Sequence, residues 1–207
     1  MLDNPIDLKA LNFFDVTINC YKVTSKINLL NKKYLLPSFS SLLNEEEFAK
    51  VYVGWSPLAI FFLFDIDINF SNFNEDFRKG DSIEIFIDTR CLKTKGYLTK
   101  FCHHFVIYSE GQNRAEEITR FRQDEMHPLA DSKTIEVESI VKPNSAIVNV
   151  SIPSISLFGY NPNEISSFSF SYRINRKDLP PQNFSISSFE HLIEKSSHLW
   201  VKMNLKE

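Results

Sequence analysis

Glycine, cysteine and methionine are scarce in this chain of 207 residues, which has five, three and three of them respectively. Five glycines are too few to supply a glycine-rich phosphate loop as well as the turns of a folded domain. The cysteines Cys20, Cys91 and Cys102 form no CxxC pair. We therefore expect three reduced and mostly buried thiols rather than a disulfide or a metal site. A Cys91–Cys102 disulfide is the alternative for an exported protein.

Long apolar runs are also missing. The longest, Leu58–Phe64, is far shorter than the roughly 20 residues needed to cross a bilayer. The N-terminal segment, MLDNPIDLKALNFF, has acidic residues where a signal peptide has basic ones. We therefore expect a cytoplasmic protein with no membrane partner.

A surplus of basic charge is the third absence, since the formal net charge is −3 at pH 7. Nucleic-acid binding needs a basic stripe with interleaved aromatic residues. Only the short segments Arg120–Arg122 and Arg173–Arg176 resemble one, so no nucleic-acid partner is expected.

Phenylalanine, in contrast, is abundant, with 19 residues. Aromatic and β-branched side chains suit half-buried strands, and many segments alternate apolar with polar residues. The pattern predicts an all-β fold, an antiparallel β-sandwich of jelly-roll or immunoglobulin-like type with a few short helices. A closed barrel is the alternative, and residues 1–207 are expected to form one domain.

The predicted strands lie within Ile6–Val23, Ala49–Trp55, Leu58–Ile66, Asp81–Asp88, Cys102–Tyr108, Ala115–Arg122, Thr134–Val141, Ser145–Ile152, Phe168–Ile174 and Leu199–Leu205. Short helical elements are predicted in Ser40–Phe48, Ile155–Tyr160 and Ser187–Lys195.

The clearest strand is Gly80–Asp88, with the sequence GDSIEIFID. Alternation places its three isoleucines on one face, which we expect in the core. The opposite face carries Ser82, Glu84, Phe86 and Asp88. A half-polar face in the middle of a sandwich is where we expect a concave ligand site.

Two segments carry a family resemblance: VYVGWSPLAIFFLFDI, from Val51, and FRKGDSIEIFIDTR, from Phe77. Together with the closing segment LWVKMNL they resemble family 9 carbohydrate-binding modules and the related DOMON-like domains. The resemblance covers about residues 49–205, after an N-terminal strand and irregular connection in residues 1–48. It implies a non-catalytic domain that binds a glycan or another small polar ligand on a concave sheet face.

The resembled family typically clamps sugar between two exposed tryptophans. The only tryptophans here, Trp55 and Trp200, stand at positions that are structural in the family. A clamp would have to use tyrosine or phenylalanine, or be absent. The alternative function is therefore an intracellular protein-interaction domain that has lost sugar binding.

Several polar side chains on neighbouring predicted strands are candidates for the ligand site. Arginine recognises polar groups in a planar, bidentate manner, and Arg120 or Arg122 and Arg173 lie on polar strand faces. A ladder of cross-strand ion pairs is the alternative interpretation. The predicted ligand-binding residues are Glu84, Phe86, Asp88, His104, Arg120 and Arg173.

Catalysis is not expected. The Cα atoms of Glu84 and Asp88 would lie roughly 13 Å apart on one strand, whereas glycosidase carboxyl groups are about 5–9.5 Å apart. No nucleophile motif is present either.

Metal ligands are left open by the sequence. His103 and His104 are adjacent on a strand and point to opposite faces, which favours structural roles, although His127 could supply one more ligand. No cofactor is expected. Calcium is the possible exception, because oxygen donors cluster in a loop at Asp65, Asp67, Asn69 and Asp76.

Overall fold

The computed structural model describes residues 16–23, 29–94, 97–108, 114–121, 124–189 and 191–207. The strands are β1 Thr17–Lys22, β2 Ala49–Ser56, β3 Ala59–Ile66, β4 Ser82–Asp88, β5 Cys102–Tyr108, β6 Ala115–Glu117, β7 Glu136–Lys142, β8 Ser145–Pro153, β9 Ser167–Arg176, β10 Leu179–Asn183 and β11 Val201–Lys206. One helical turn, α1, spans Ser40–Leu43, and short 3₁₀ turns occur at Lys32–Tyr34, Ser132–Thr134, Ser154–Ser156, Ile193–Lys195 and Ser197–Leu199.

Hydrogen bonds link the strands in the order β6-β5-β4-β9-β11-β1-β2-β3-β8-β7. Strand β10 lies off this path and pairs with the end of β9 that β11 does not reach. The pairs are antiparallel, except that β1 runs parallel to both β11 and β2. The sheet folds over so that β3 faces β9, although three strands lie between them in the hydrogen-bonded order. The all-β sandwich predicted from the sequence is confirmed. It contains one parallel strand, β1, between the two layers of the folded sheet.

The core between the two layers is built from phenylalanine. Phe62 on β3 stacks on Phe170 of β9 with ring centroids 5.4 Å apart, and Phe64 meets the edge of Tyr172 at 6.0 Å. On β4 the three isoleucines face this core, as the alternation predicts, and are fully buried. We call the opposite side of β4, β5 and β9 the outer face.

Gln182 of β10 joins the two layers at one edge. Its carbonyl oxygen accepts hydrogen bonds from the backbone N–H groups of Phe48 and Ala49, and its amide donates to the Ala49 carbonyl and the Tyr172 hydroxyl. These bonds satisfy the start of β2 on the edge that does not pair with β3, because β1 pairs with that edge only at Gly54 and Trp55.

The outer face is covered rather than open. Residues 184–189 and 191–200, here called the covering segment, pack Ile186, Ile193 and Trp200 onto Phe86 of β4. Trp200 is 1% exposed, and its indole N–H donates to the Ile193 carbonyl. The sheet face at Phe86, where the sequence analysis places a concave ligand site, is therefore covered by this segment.

Three local predictions also need correction. Ser187–Lys195 was expected to be a helix, yet the described part forms only the 3₁₀ turn Ile193–Lys195. The strand expected over Ala115–Arg122 ends at Glu117, with Arg122 outside the described residues. Strand β10, LPPQN, is absent from the predicted strands; it contains two prolines, which are unusual in a strand, and it lies off the main path of the sheet.

The N-terminal strand, predicted within Ile6–Val23, is observed at Thr17–Lys22, and residues 1–15 lie outside the described part. No helix among the described residues is long and apolar enough to cross a membrane.

All three cysteines are free thiols, as expected, and no Cys91–Cys102 disulfide forms. Cys20 and Cys102 are buried, and burial raises the pKa of both thiols, that of Cys102 to about 11. Cys91 is half-buried. We expect a thiol reagent at pH 8 to label at most Cys91 in the native protein and all three cysteines in denaturant, because the thiolate is the reactive form.

The control for this labelling is Cys91→Ser, which should show no reaction until the chain unfolds. Rapid labelling of two thiols in the native wild type would contradict the burial described above.

Candidate functional site

The Gly80–Asp81 pair anchors the loop that precedes β4. A Cβ atom on Gly80 would lie 2.7 Å from the Asn72 carbonyl oxygen, so only glycine fits this close approach. Asp81 accepts hydrogen bonds from the backbone N–H groups of Asn72 and Lys177. These two residues of the GDSIEIFID segment therefore position backbone rather than a ligand.

Glu84 is the centre of a buried polar network on the outer face. Arg173 donates two hydrogen bonds to it, at 2.6 and 2.8 Å, and the Asn175 amide donates a third at 2.8 Å. Asn175 donates to Oε1 of Glu84, whereas the His104 imidazole Nε2 lies 2.8 Å from Oε2. Burial opposes ionisation of Glu84, but the bonds from His104 and Arg173 outweigh it and lower its pKa to about 2. The carboxylate is therefore ionised, and both of its oxygens are already bonded to protein side chains.

Phe86 and Asp88, the other two candidates on β4, are also fully buried. Phe86 packs between His104 and Trp200, with ring centroids at 4.5 and 5.8 Å. Asp88 accepts backbone N–H bonds from Arg90, Leu92 and Lys93 and so shapes the turn after the strand. Neither side chain is placed where a ligand can reach it.

Beside this network a pocket of about 270 Å³ opens between the loop before β4 and the covering segment. Its wall combines charged and apolar groups, as small-molecule sites do. The lining residues are Asp76, Phe77, Arg78, His104, Ile118, Arg120, Leu192, Glu194 and Lys195.

Glu194 lines this pocket, and only one of its two carboxylate oxygens accepts a hydrogen bond from another described side chain. Its Oε1 accepts a bond from Arg78 at 2.9 Å. Its Oε2 is buried, lies 4.0 Å from Arg173, and receives no hydrogen bond from any described residue. Burial by itself would raise the pKa of Glu194. A backbone hydrogen bond and the charges of Arg173 and Arg78 outweigh this effect, so the pKa is lowered overall. An ionised acceptor therefore borders the pocket.

The aromatic wall of the pocket is Phe77, which is partly buried and meets the edge of the His104 ring at 6.4 Å. The Arg78 guanidinium lies 5.4 Å from the Phe77 ring centroid. Trp55 and Trp200 are both buried, at 5% and 1% exposed. No tryptophan clamp exists in this part of the structure, as the sequence predicted.

Of the predicted site residues, the structure brings His104 and Arg120 into the pocket, and Arg173 lies just behind Glu194. Glu84, Phe86 and Asp88 lie beneath the surface. Phe77, Arg78 and Glu194 also line the pocket but were not among the predicted site residues. The first two lie just before the Gly-Asp pair in FRKGD, separated from it by Lys79, and could have been found there. Glu194 was hidden in a segment expected to be helical.

The predicted calcium loop remains a prediction. Asp65 is partly buried, whereas Asp67, Asn69 and Asp76 are exposed, and Asp76 pairs with Lys79 at 3.1 Å. A group of three metal-type ligands does occur within the described ranges, but it lies elsewhere, at His103, Glu117 and His127.

Searches of protein-family models and of curated proteins find no match for this sequence. Solved structures do match. A family 9 carbohydrate-binding module from Caldicellulosiruptor kristjanssonii in complex with glucose superposes with a TM-score of 0.63 at 15% identity, over 92% of this chain and 95% of that one. The same kind of module in complex with cellotriose gives 0.62 at 15% identity, over 92% and 93%. A protein from Bacteroides uniformis gives 0.51 at 10% identity, over 92% and 98%. The chain therefore has the β-sandwich fold of family 9 carbohydrate-binding modules.

Proposed function

We propose that this chain is a non-catalytic carbohydrate-binding domain whose ligand occupies the pocket between Arg78, Arg120 and Glu194. The observation that carries the proposal is the charged lining of the pocket, where the ionised Glu194 lies with Arg78 and Arg120. It occurs in a fold whose solved relatives include modules in complex with glucose and cellotriose.

The chemistry of the pocket suits a sugar. Each sugar hydroxyl both donates and accepts, so it can give a hydrogen bond to Glu194 and take one from an arginine. The C–H face of the ring can pack on Phe77 and Leu192. At about 270 Å³ the pocket is near the lower end of the roughly 300–1,000 Å³ range of small-molecule sites. It therefore favours one sugar ring or the end of a chain over a long polymer.

The carboxyl groups near the pocket support binding rather than hydrolysis. A general acid at neutral pH needs a raised pKa, whereas the pKa values of Glu84 and Glu194 are both lowered. Glu84 is also out of reach, because Arg173, Asn175 and His104 occupy it.

We expect Arg120→Ala and Glu194→Gln each to weaken glycan binding at least about tenfold, since one hydrogen bond to a charged group contributes roughly 1.5–3 kcal/mol. A glycan array followed by calorimetry on the best glycan measures this. Arg114→Ala is the matched control, because Arg114 is exposed and outside the pocket. If the wild-type protein fails to bind mono- or oligosaccharides of every class tested, the proposal is contradicted.

One observation favours a second function, protein interaction. Leu129, Ile155 and Phe158 are 52%, 85% and 41% exposed and line a separate recess of about 310 Å³. Exposed apolar patches often mark interfaces. A partner retained by the wild type but lost by Ile155→Ser would support this function, and equal retention by both would contradict it.

A further inference from the structure

A second cluster of chemically active side chains lies on the core side of β5, away from the pocket. His103 of β5, Glu117 of β6 and His127 of the following loop meet there. Their side chains are 0%, 0% and 1% exposed. Such complete burial of two imidazoles and one carboxylate requires every polar atom to be satisfied.

The three groups converge on one atom. Oε1 of Glu117 lies 2.9 Å from Nδ1 of His103 and 2.9 Å from Nε2 of His127. The other carboxylate oxygen, Oε2, accepts the backbone N–H of Ala130 at 2.8 Å. The Thr119 hydroxyl donates to Oε1 at 2.7 Å. The carboxylate is thus fixed in direction before any ligand is considered.

The remaining nitrogen of each imidazole faces a backbone carbonyl. Nδ1 of His127 lies 2.6 Å from the Lys100 oxygen, and Nε2 of His103 lies 3.4 Å from the Phe158 oxygen. A neutral imidazole has one N–H. If each N–H donates to its carbonyl, the second nitrogen of each ring directs a lone pair at Oε1 of Glu117. These three hydrogen-bond acceptors then face one another with no proton between them.

A cation between these three acceptors relieves that conflict. It leaves each imidazole free to donate its N–H to a backbone carbonyl, as is usual for metal-bound histidines.

We propose that His103 Nδ1, His127 Nε2 and Glu117 Oε1 bind a divalent transition-metal ion of the zinc type. The ligand atoms all lie within 4.8 Å of one another, and ligand bonds of about 2.0–2.1 Å separate tetrahedral neighbours by about 3.3 Å. Small shifts therefore admit the ion. Two nitrogens and one oxygen suit zinc, whereas calcium and magnesium prefer oxygen alone.

The ion would fasten three parts of the chain: β5, β6 and the segment around His127. Aromatic rings enclose it, with Phe121 at 4.5 Å and Phe158 at 5.5 Å from the His127 ring. The three ligands are buried and none of them lines the pocket, so the ion would have a structural role, with water as the fourth ligand of the tetrahedron. His127 was expected from the sequence as a possible added ligand, whereas Glu117 was not among the candidate ligands.

The test is metal analysis of the purified full chain, followed by removal and replacement. We expect about one equivalent of zinc per chain. Co²⁺ added to the metal-free protein should give the visible absorption of a tetrahedral site and raise the melting temperature. Glu117→Gln and His127→Gln should bind Co²⁺ at least about 100-fold more weakly.

His104→Gln is the matched control. His104 directly follows His103 and also pairs with a buried glutamate, Glu84, but it is not one of the three proposed metal ligands. It should keep the full metal content. If a ligand variant fails to fold, the wild-type cobalt spectrum and zinc content still decide. Folded wild type that binds neither Zn²⁺, Co²⁺ nor Ni²⁺ would overturn the proposal and leave a hydrogen-bonded network. A parallel Ca²⁺ titration tests the Asp65–Asp76 loop separately.

Discussion

Replacing Glu84 with alanine is expected to lower the free energy of unfolding by about 3–5 kcal/mol, measured by urea denaturation. The reason is that the substitution removes one member of a buried ion pair and leaves the Arg173 guanidinium without its partner. Asn175 and His104 lose an acceptor in the same step. The effect is large because Glu84 is fully buried and water cannot replace it.

The matched control is the double variant Glu84→Leu with Arg173→Leu, which removes both charges. It should recover much of the lost stability, because no unpaired charge remains. A loss below about 1 kcal/mol in the single variant would contradict the buried network.

The acid dependence of stability gives a further check on the same carboxylate. Its folded-state pKa of about 2 is below the ordinary value of 4.5. The stabilisation is therefore complete above about pH 4.5 and is lost as the pH falls toward 2. The double variant should lose less stability over that interval.

Trp200→Ala is the second substitution with a large expected effect, about 3–5 kcal/mol of unfolding free energy. Trp200 is 1% exposed and attaches the covering segment to β4 through its contact with Phe86. Its loss leaves a cavity and frees the Ile193 carbonyl, which accepts the indole N–H. Because Glu194 follows Ile193, we also expect the pocket lined by Glu194 to lose one wall.

Leu192→Ala serves as the control on the same segment. Leu192 is 59% exposed, so its truncation should change stability by no more than about 0.5 kcal/mol. Equal effects of the two substitutions, measured by thermal and chemical unfolding, would contradict the packing of this segment.

The sequence predicted those parts of the fold that depend on alternation. Strands β4 and β5 were located almost to the residue, because buried isoleucine, valine and phenylalanine repeat at every second position. The phenylalanine-rich core followed from the same pattern, whereas the structural positions of the two tryptophans followed from the family resemblance. The polar face of β4 was also identified correctly as polar.

What lies above that face could not be predicted. Alternation shows which residues share a face, but not whether another segment covers it. The covering segment has little regular secondary structure, so its sequence has no period that would reveal its path. The polar residues of GDSIEIFID therefore suggested a ligand, whereas in the structure they hold Asn72, Lys177, Arg173 and the turn after β4.

The parallel pairing of β1 has a consequence for how the chain folds. Thr17 of β1 pairs with Lys202 of β11, and β11 alone connects β9 to β1 in the hydrogen-bonded order. Without residues 201–206 the strands form two separate sheets, β10-β9-β4-β5-β6 and β1-β2-β3-β8-β7. During synthesis the second sheet is complete once residue 153 has emerged, but the sandwich must wait for the last strand. Contacts between such distant parts of a chain form slowly, so we expect joining of the two sheets to limit the folding rate.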